Sequence, residues 1–494
     1  MLKRALVVCA IALFAGFARG PAAGQIALTT LLDRGDVFPQ TWRTDITYRW
    51  QCQLPPCWDW FVLDTDELNR SLVLGQVYRV FNGQRFYDSA AAVVEPDGTQ
   101  IPIVGPFDPY PAEGGLVRYR GGGFGSDGSV VLHYGRRETS TTREEARIGM
   151  LQGGVWTTLV QLGTPLVNGG TVPEDIFSFY IYSLGTSPVR QAFVGLLDGG
   201  PGLPDISQLY VIEANGVSLV AEGGETDASG RAFGRFDFRA PRVSDSGIVA
   251  VPSGTATHGR FIVYDGSGAA QVRFPFEELN AASDDLELHW VTNVSGGRTS
   301  WDIADNGRIA AVVDSTADGV RTNRLVEFTD DGPRVLLTVG DPAPGSSFDL
   351  LRIQRVRYTD DGDLIAWTDR NNGTFEKGQI VAFRPNGEAE LVFEGFTNYP
   401  VFSTPAIRGF ETAIGDSIVL DGYVSGGGSR LVRVSGVRPP CIADTNGDGA
   451  LTPGDFNAWL LAYNTASASC DQNGDGRCTQ GDFNAWILNF NAGC

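Results

Sequence analysis

The sequence predicts an all-β protein, a propeller of four-stranded antiparallel blades, with a small helical module at its carboxy end. Three observations carry this. Of 494 residues 63 are Gly, nearly twice the ~7% of an average chain. Short β-branched or aromatic runs alternate with Asp-Gly and Asn-Gly dipeptides, the pattern of hairpins. The turns also recur: Gly98, Gly154, Gly216, Gly266, Gly332 and Gly387 mark one series and Gly128, Gly247, Gly307, Gly362 and Gly415 a second that interleaves with it. Two hairpins therefore fall in each unit of 50 to 66 residues, and two hairpins make a blade.

Residues 1–24 read as a secretory signal: Lys3 and Arg4, an apolar run from Ala5 to Phe17, then Ala22-Ala23-Gly24. That run is too short to span a bilayer, and no later stretch is long enough for a transmembrane helix. Losing Lys3, Arg4 and Arg19 takes the formal charge from −20 to −23, which argues against nucleic acid or an anionic membrane as partner. Six of the seven Cys remain after Cys9 leaves, an even count that suits an oxidising, extracellular compartment. Cys52 and Cys57 are expected to close a local disulfide loop.

Residues 25–436 form the repeat region. Arg324-Leu-Val-Glu-Phe328, a turn, Arg334-Val-Leu-Leu-Thr-Val339 and Gly340-Asp-Pro-Ala-Pro-Gly345 give a third strand, a fourth strand and an exit loop. Ile26 to Leu32, followed by Arg34-Gly35-Asp36, reads as the fourth strand and exit loop alone, and Arg430 to Val434 as a third strand with no fourth after it. The amino-terminal strand is thus expected to complete the last blade and remove both sheet edges. The count comes to seven blades, with six or eight compatible because the first hairpins near 71–82 and 178–198 are weakly marked. Asp305-Asn-Gly-Arg-Ile-Ala-Ala311 and Gly340 to Gly345 resemble the NxxGxxAF-type tandem repeats of secreted proteins, a family defined by pattern and implying no activity.

In such a blade the turns after strands one and three share a face, and the longer connections share the other, where function is expected. Trp42, Trp50, Trp58 and Trp60 crowd the first exit loop; they read either as a platform for sugar rings or as cover for the rim and closing strand. His133, His258 and His289 map to the same face, as a metal or acid-base cluster or by chance placement. No nucleophile elbow, phosphate loop or dinucleotide fingerprint is present.

Val437-Arg-Pro-Pro440 is a short, stiff join. From Cys441 to Cys494 the chain is a tandem duplication of period 27. Asp444, Asn446, Asp448 and Asp455 stand at positions 1, 3, 5 and 12 of one loop, with the Ala450 carbonyl at 7 and Thr452 at 9. Asp471, Asn473, Asp475, Asp482, the Arg477 carbonyl and Thr479 repeat them. This is the oxygen-ligand spacing of a calcium loop, and two ions are expected. All six acids of the segment lie at ligand positions and its only base is Arg477, so without a cation the carboxylates repel. Phe456, Trp459, Leu460 and Tyr463, then Phe483, Trp486, Ile487 and Phe490, have helical spacing after each loop. So small a module needs metal and disulfides to hold it; of the three pairings of Cys441, Cys470, Cys478 and Cys494, Cys441 with Cys494 and Cys470 with Cys478 is preferred.

The segment 441–494 resembles a dockerin of the type ending in Gly493-Cys494, which implies a cohesin-like anchoring partner. Many dockerins carry a Lys-Arg pair for partner contact where this chain has Leu460-Leu461 and Ile487-Leu488, so these apolar pairs are the expected partner face. The functional expectation is a secreted, non-catalytic propeller, anchored to an extracellular or cell-surface assembly, whose loop face binds glycan or protein. The alternative is a dockerin-bearing glycoside hydrolase or polysaccharide lyase. A third reading makes the module a stable cap; exposure of the apolar pairs decides against it, mutual burial for it.

Overall fold

The computed structural model describes residues 27–492 apart from 34–35, 39–47, 51–59, 66–67, 69, 82–83, 105–115, 126–127, 138–144, 174–178, 198–204, 237–240, 255–258, 284, 292–299, 360–361, 372–375, 386, 395–406, 413–416, 425–427, 436–442, 447–450, 466 and 473–476. The expected signal, the 437–440 join, Cys52, Cys57, Cys441, Cys494, Trp42, Trp58 and His258 lie outside the described residues. Ala27–Ser435 forms one compact unit, and Gly436–Cys494 belongs to a second.

The described strands of the first unit form seven antiparallel sheets in chain order. The second sheet shows the plain form: Leu116–Phe124, Val130–Arg137, Glu145–Gln152 and Val155–Val160, each paired to the next. First strands lie against one another in turn, Trp60–Thr65, Leu116–Phe124, Phe179–Thr186, Arg242–Val243, Trp301–Ile303, Leu350–Tyr358 and Ile407–Thr412, and the last returns to the first. The unit is a β-propeller. Its seventh sheet is completed by Ala27–Asp33, which pairs with Gly428–Ser435 from Ala27 opposite Ser435 to Asp33 opposite Arg430. A bulge between Thr30 and Leu32 leaves Leu31 buried.

Alternation explains why the middle strands read as unbroken apolar runs. In Ile309–Ala317, Ile309, Ala311 and Val313 pack with Ala250 and Phe261 of the fourth sheet, while Ala310 and Val312 pack with Val356, Leu364 and Ala366 of the sixth. Both faces of such a strand are covered, so the five buried positions from Ile309 to Val313 are all apolar. Each buried Val or Ile contributes roughly 1.5–3 kcal/mol.

Three sheets depart from four simple strands. In the fourth and fifth the first strand is broken in two, Arg235–Phe236 with Arg242–Val243, and Leu286–Val291 with Trp301–Ile303. The first sheet gains Val37–Phe38 and Tyr48–Trp50, the latter pairing with Ser71–Phe81. Trp50 and Trp60 thus stand on strands, opposite Val77 and Gly75, rather than in an exit loop. The expectation of long connections after second strands also fails in the fifth sheet. There Asp318 and Gly319, both at positive φ, make a two-residue turn, which matches strand twist better than an open loop. A short helix, α1 (Phe276–Ala281), links the fourth and fifth sheets and stacks buried Phe276 on Phe328.

Arginines lock one sheet to the next. Arg308, in the Asp305 to Ala311 repeat text, donates to Glu327 of its own sheet at 3.0 Å and to the Gly362 carbonyl of the sixth at 3.2 Å, and lies over the Tyr358 ring. Arg190 repeats this with Glu213, the Gly247 carbonyl and Tyr264. Gly247 and Gly362 have positive φ, so these turns need glycine. Arg308→Ala is expected to cost roughly 2–4 kcal/mol, because Glu327 is buried and, among the described residues, keeps only Arg334 as a cation. Arg308→Lys should not restore it, since one ammonium cannot match the guanidinium fork. Denaturant midpoints for both variants equal to the parent's would overturn this.

Candidate metal centre

In the second unit the duplication becomes two copies of one local device. Helices α2 (Pro453–Asn464) and α3 (Gln480–Ala492) follow the two acidic segments. Thr452 caps α2, its hydroxyl accepting from the Gly454 N–H at 3.1 Å, while Asp455 Oδ2 accepts from the Thr452 N–H at 2.7 Å. Thr479 and Asp482 do the same for α3, at 3.2 Å from Gly481 and 2.6 Å to Asp482. Reciprocal caps of this kind satisfy the free donors of a helix start.

The same carboxylates reach back to the loop entrance. Asp455 Oδ1 accepts from the Asn446 N–H at 3.2 Å, and Asp482 Oδ1 from the Gln472 N–H at 3.0 Å. Asp455 and Asp482 are both fully buried. Burial opposes ionisation of Asp455, but hydrogen bonds from Thr452, Asn446 and the Asp444 side chain outweigh it and hold the carboxyl below its usual range. Asp444 therefore meets Asp455 across the first loop, an acid against an acid. Such all-oxygen pairing fits a calcium ion. When bound, the ion supplies the positive charge that lets these carboxylates share one loop. Asp444, Asn446, Thr452 and Asp455 are described in the first loop and Asp471, Arg477, Thr479 and Asp482 in the second; Asp448, Ala450, Asn473 and Asp475 lie outside the described residues. Among the described residues no group of three or more His, Cys, Asp or Glu could by itself hold a metal.

The helices clamp each other's loops. Trp459 of α2 donates its indole N–H to the Cys470 carbonyl at 3.1 Å, immediately before Asp471. Trp486 of α3 donates to the Ala443 carbonyl at 3.2 Å, immediately before Asp444. Ala443, Trp459, Ala462, Cys470 and Trp486 form the core, with Phe456 and Phe483 against it. Trp459→Phe is expected to loosen the second loop and Trp486→Phe the first, each at about 1 kcal/mol; hydrogen exchange at the Asp471 and Asp444 amides checks it, and equal effects on both loops would refute the crossed arrangement. Cys470 and Cys478 form a disulfide, with Cα atoms 5.6 Å apart.

The propeller offers a weaker candidate. His133 lies in the middle of a second strand, opposite Ile148 and Gly121, and is buried; His289 belongs to the fifth sheet, so these two are not brought together, and the expected position of His133 at a loop end is corrected. Alternation puts a side chain in mid-strand inward whatever its polarity. His289 Nε2 lies 3.1 Å from Thr316 Oγ1 and 3.9 Å from Glu287 Oε2. Beside it Trp290 is 38% exposed, its ring lying where a Cβ on Gly254 would stand. Arg321 pairs with Asp314, opposite Trp290 in the sheet, holding the Asp314 carboxyl below its usual range. An aromatic face flanked by charges suits a sugar ring. The sequence hid this group because Glu287 to Trp290 and Asp314 to Arg321 meet only through strand pairing.

No protein-family model and no curated protein matches the chain. Among solved structures it is similar to the β-propeller domain of the trilobed protease from Pyrococcus furiosus, at 9% identity, covering 78% of this chain and 97% of that one, with a TM-score of 0.43. It is also similar to an oligogalacturonate lyase from Vibrio parahaemolyticus, at 10% identity, 84% and 98% coverage and a TM-score of 0.42. The polysaccharide lyase Uly1 matches at 10% identity, 83% and 99% coverage and a TM-score of 0.44. Likeness at this level bears on neither substrate nor activity. Among the described residues no helix is long and apolar enough to cross a membrane.

Proposed function

We propose that the chain is a secreted seven-bladed propeller carried on an extracellular assembly by a calcium-dependent, dockerin-like module, and that the propeller presents a glycan-binding face. One observation carries the docking role. Leu460 and Leu461 are 41% and 65% exposed, and Ile487 and Leu488, their equivalents in the second copy, 37% and 69%, while Trp459 and Trp486 are buried. The core is complete without these four, so they fit a partner better than a cap. The seven sheets and the pairing of Ala27–Asp33 with the last of them support the blade count.

The test uses the full chain. Calorimetry should find two calcium ions per chain, and calcium-loaded protein should retain a cohesin-like module that Leu461→Asp/Leu488→Asp releases without loss of calcium. Retention unchanged by that variant or by chelator would refute the docking reading. Trp290→Ala should abolish retention by whichever polysaccharide matrix holds the parent.

A second reading is favoured by His289, which stands by Glu287 beside exposed Trp290 as an acid-base pair would. It makes the propeller a polysaccharide-degrading enzyme, either lyase or hydrolase. New unsaturated or reducing ends from a polyuronide panel, lost in His289→Gln, would establish it in place of simple binding.

A further inference from the structure

The two calcium loops differ in one covalent feature. Cys470 directly precedes the first ligand of the second loop and Cys478 stands between its ligand positions 7 and 9, so the disulfide closes the chain around Asp471 to Arg477. One period earlier the same two positions are Ala443 and Leu451. All four belong to one core, Ala443 and Cys470 buried within it and Leu451 and Cys478 packed against it. One loop is thus stapled at its neck and the other is held only by apolar packing at equivalent places.

We infer that the Cys470–Cys478 bond sets the calcium affinity of the second loop, making it the tighter of two unequal sites and linking its loading to thiol oxidation; this rests on the calcium reading above. Ordering a free loop around an ion costs conformational entropy, and a cross-link removes part of that cost before the ion arrives. The Trp459 indole already pins one end of the staple through the Cys470 carbonyl, and Asp482 pins the residues on both sides, at the Gln472 and Thr479 N–H groups. With the neck bonded, the ligand positions between are confined to a short ring. Reduction by an external dithiol would break the S–S bond, leave two thiols and convert that dithiol to its own disulfide. The second loop would then lack its staple, as the first does.

Calorimetric calcium titration of the full chain tests this with Cys470→Ala/Cys478→Leu, which gives the second loop the neck of the first and so a packing the module already tolerates. The parent should bind two ions with affinities differing on the order of tenfold or more. In the variant the tighter site should weaken by that factor and the two become alike. Ala443→Cys/Leu451→Cys, oxidised, should instead tighten the weaker site. Two equal sites in the parent, an unchanged difference in the variant, or an equal fall at both sites with intact helical circular dichroism would each overturn the inference. A parent that binds no calcium at all would remove the calcium reading itself, a distinct failure.

Discussion

Asp455→Ala together with Asp482→Ala is expected to abolish calcium uptake and to lower the helix content of the terminal module. Each carboxylate acts in two places, closing the capping box of its helix and receiving an N–H from the loop entrance. Losing a cap costs about 1 kcal/mol per helix, and losing the last ligand position removes the residue that joins loop to helix. Asp455→Asn/Asp482→Asn separates the two effects. An amide keeps one acceptor oxygen, so much of the capping should survive, whereas calcium loses a charged ligand in each loop and binds far more weakly. Calorimetry reads the ion and far-ultraviolet circular dichroism the helices; uptake of two ions by the Ala variant at parental affinity would sink the assignment of both loops.

Leu31→Asp is expected to destabilise the propeller by at least ~3 kcal/mol, since it places a carboxylate with no designated partner in a site only 3% exposed on the closing strand. Val155→Asp provides the contrast: Val155 opens an outer strand, is 65% exposed, and should tolerate the charge within ~0.5 kcal/mol. Urea midpoints distinguish them. Equal midpoints would mean that the amino-terminal strand adds little to the ring it closes.

The hairpins were legible because their turns are chemically marked: Asn215-Gly216, Asp265-Gly266 and Asp331-Gly332 each lie where one strand turns into its partner, and the glycines have positive φ. Closure by the amino-terminal strand was legible from two incomplete fragments of the repeat. The first hairpin of the third sheet was faint because Ser187-Pro-Val-Arg190 makes its turn without glycine, the Ser187 hydroxyl accepting from the Arg190 N–H at 3.2 Å. Broken first strands were hidden too, since Arg235–Phe236, Arg242–Val243 and Trp301–Ile303, at two or three residues each, leave no periodicity. The inter-sheet arginines escaped for another reason. Arg308 and Gly362 are far apart in sequence and meet by ring geometry, and nothing local distinguishes such an arginine from a solvated one. In the terminal module the spacing gave ligand positions and helices, and the Cys470–Cys478 bond was among the pairings it allowed; the crossed tryptophan clamps emerge only when the two copies pack.

The pairing of Ala27–Asp33 with Gly428–Ser435 also fixes a timetable. Ala27–Asp33 must wait for its neighbour until some 400 further residues have been made, and joining segments so far apart is slow compared with forming any hairpin between them. Until then the ring has two open edges able to recruit strands from other chains. The duplicated acidic module comes after Gly428–Ser435 in the chain, so its synthesis begins once every strand the ring needs has been made.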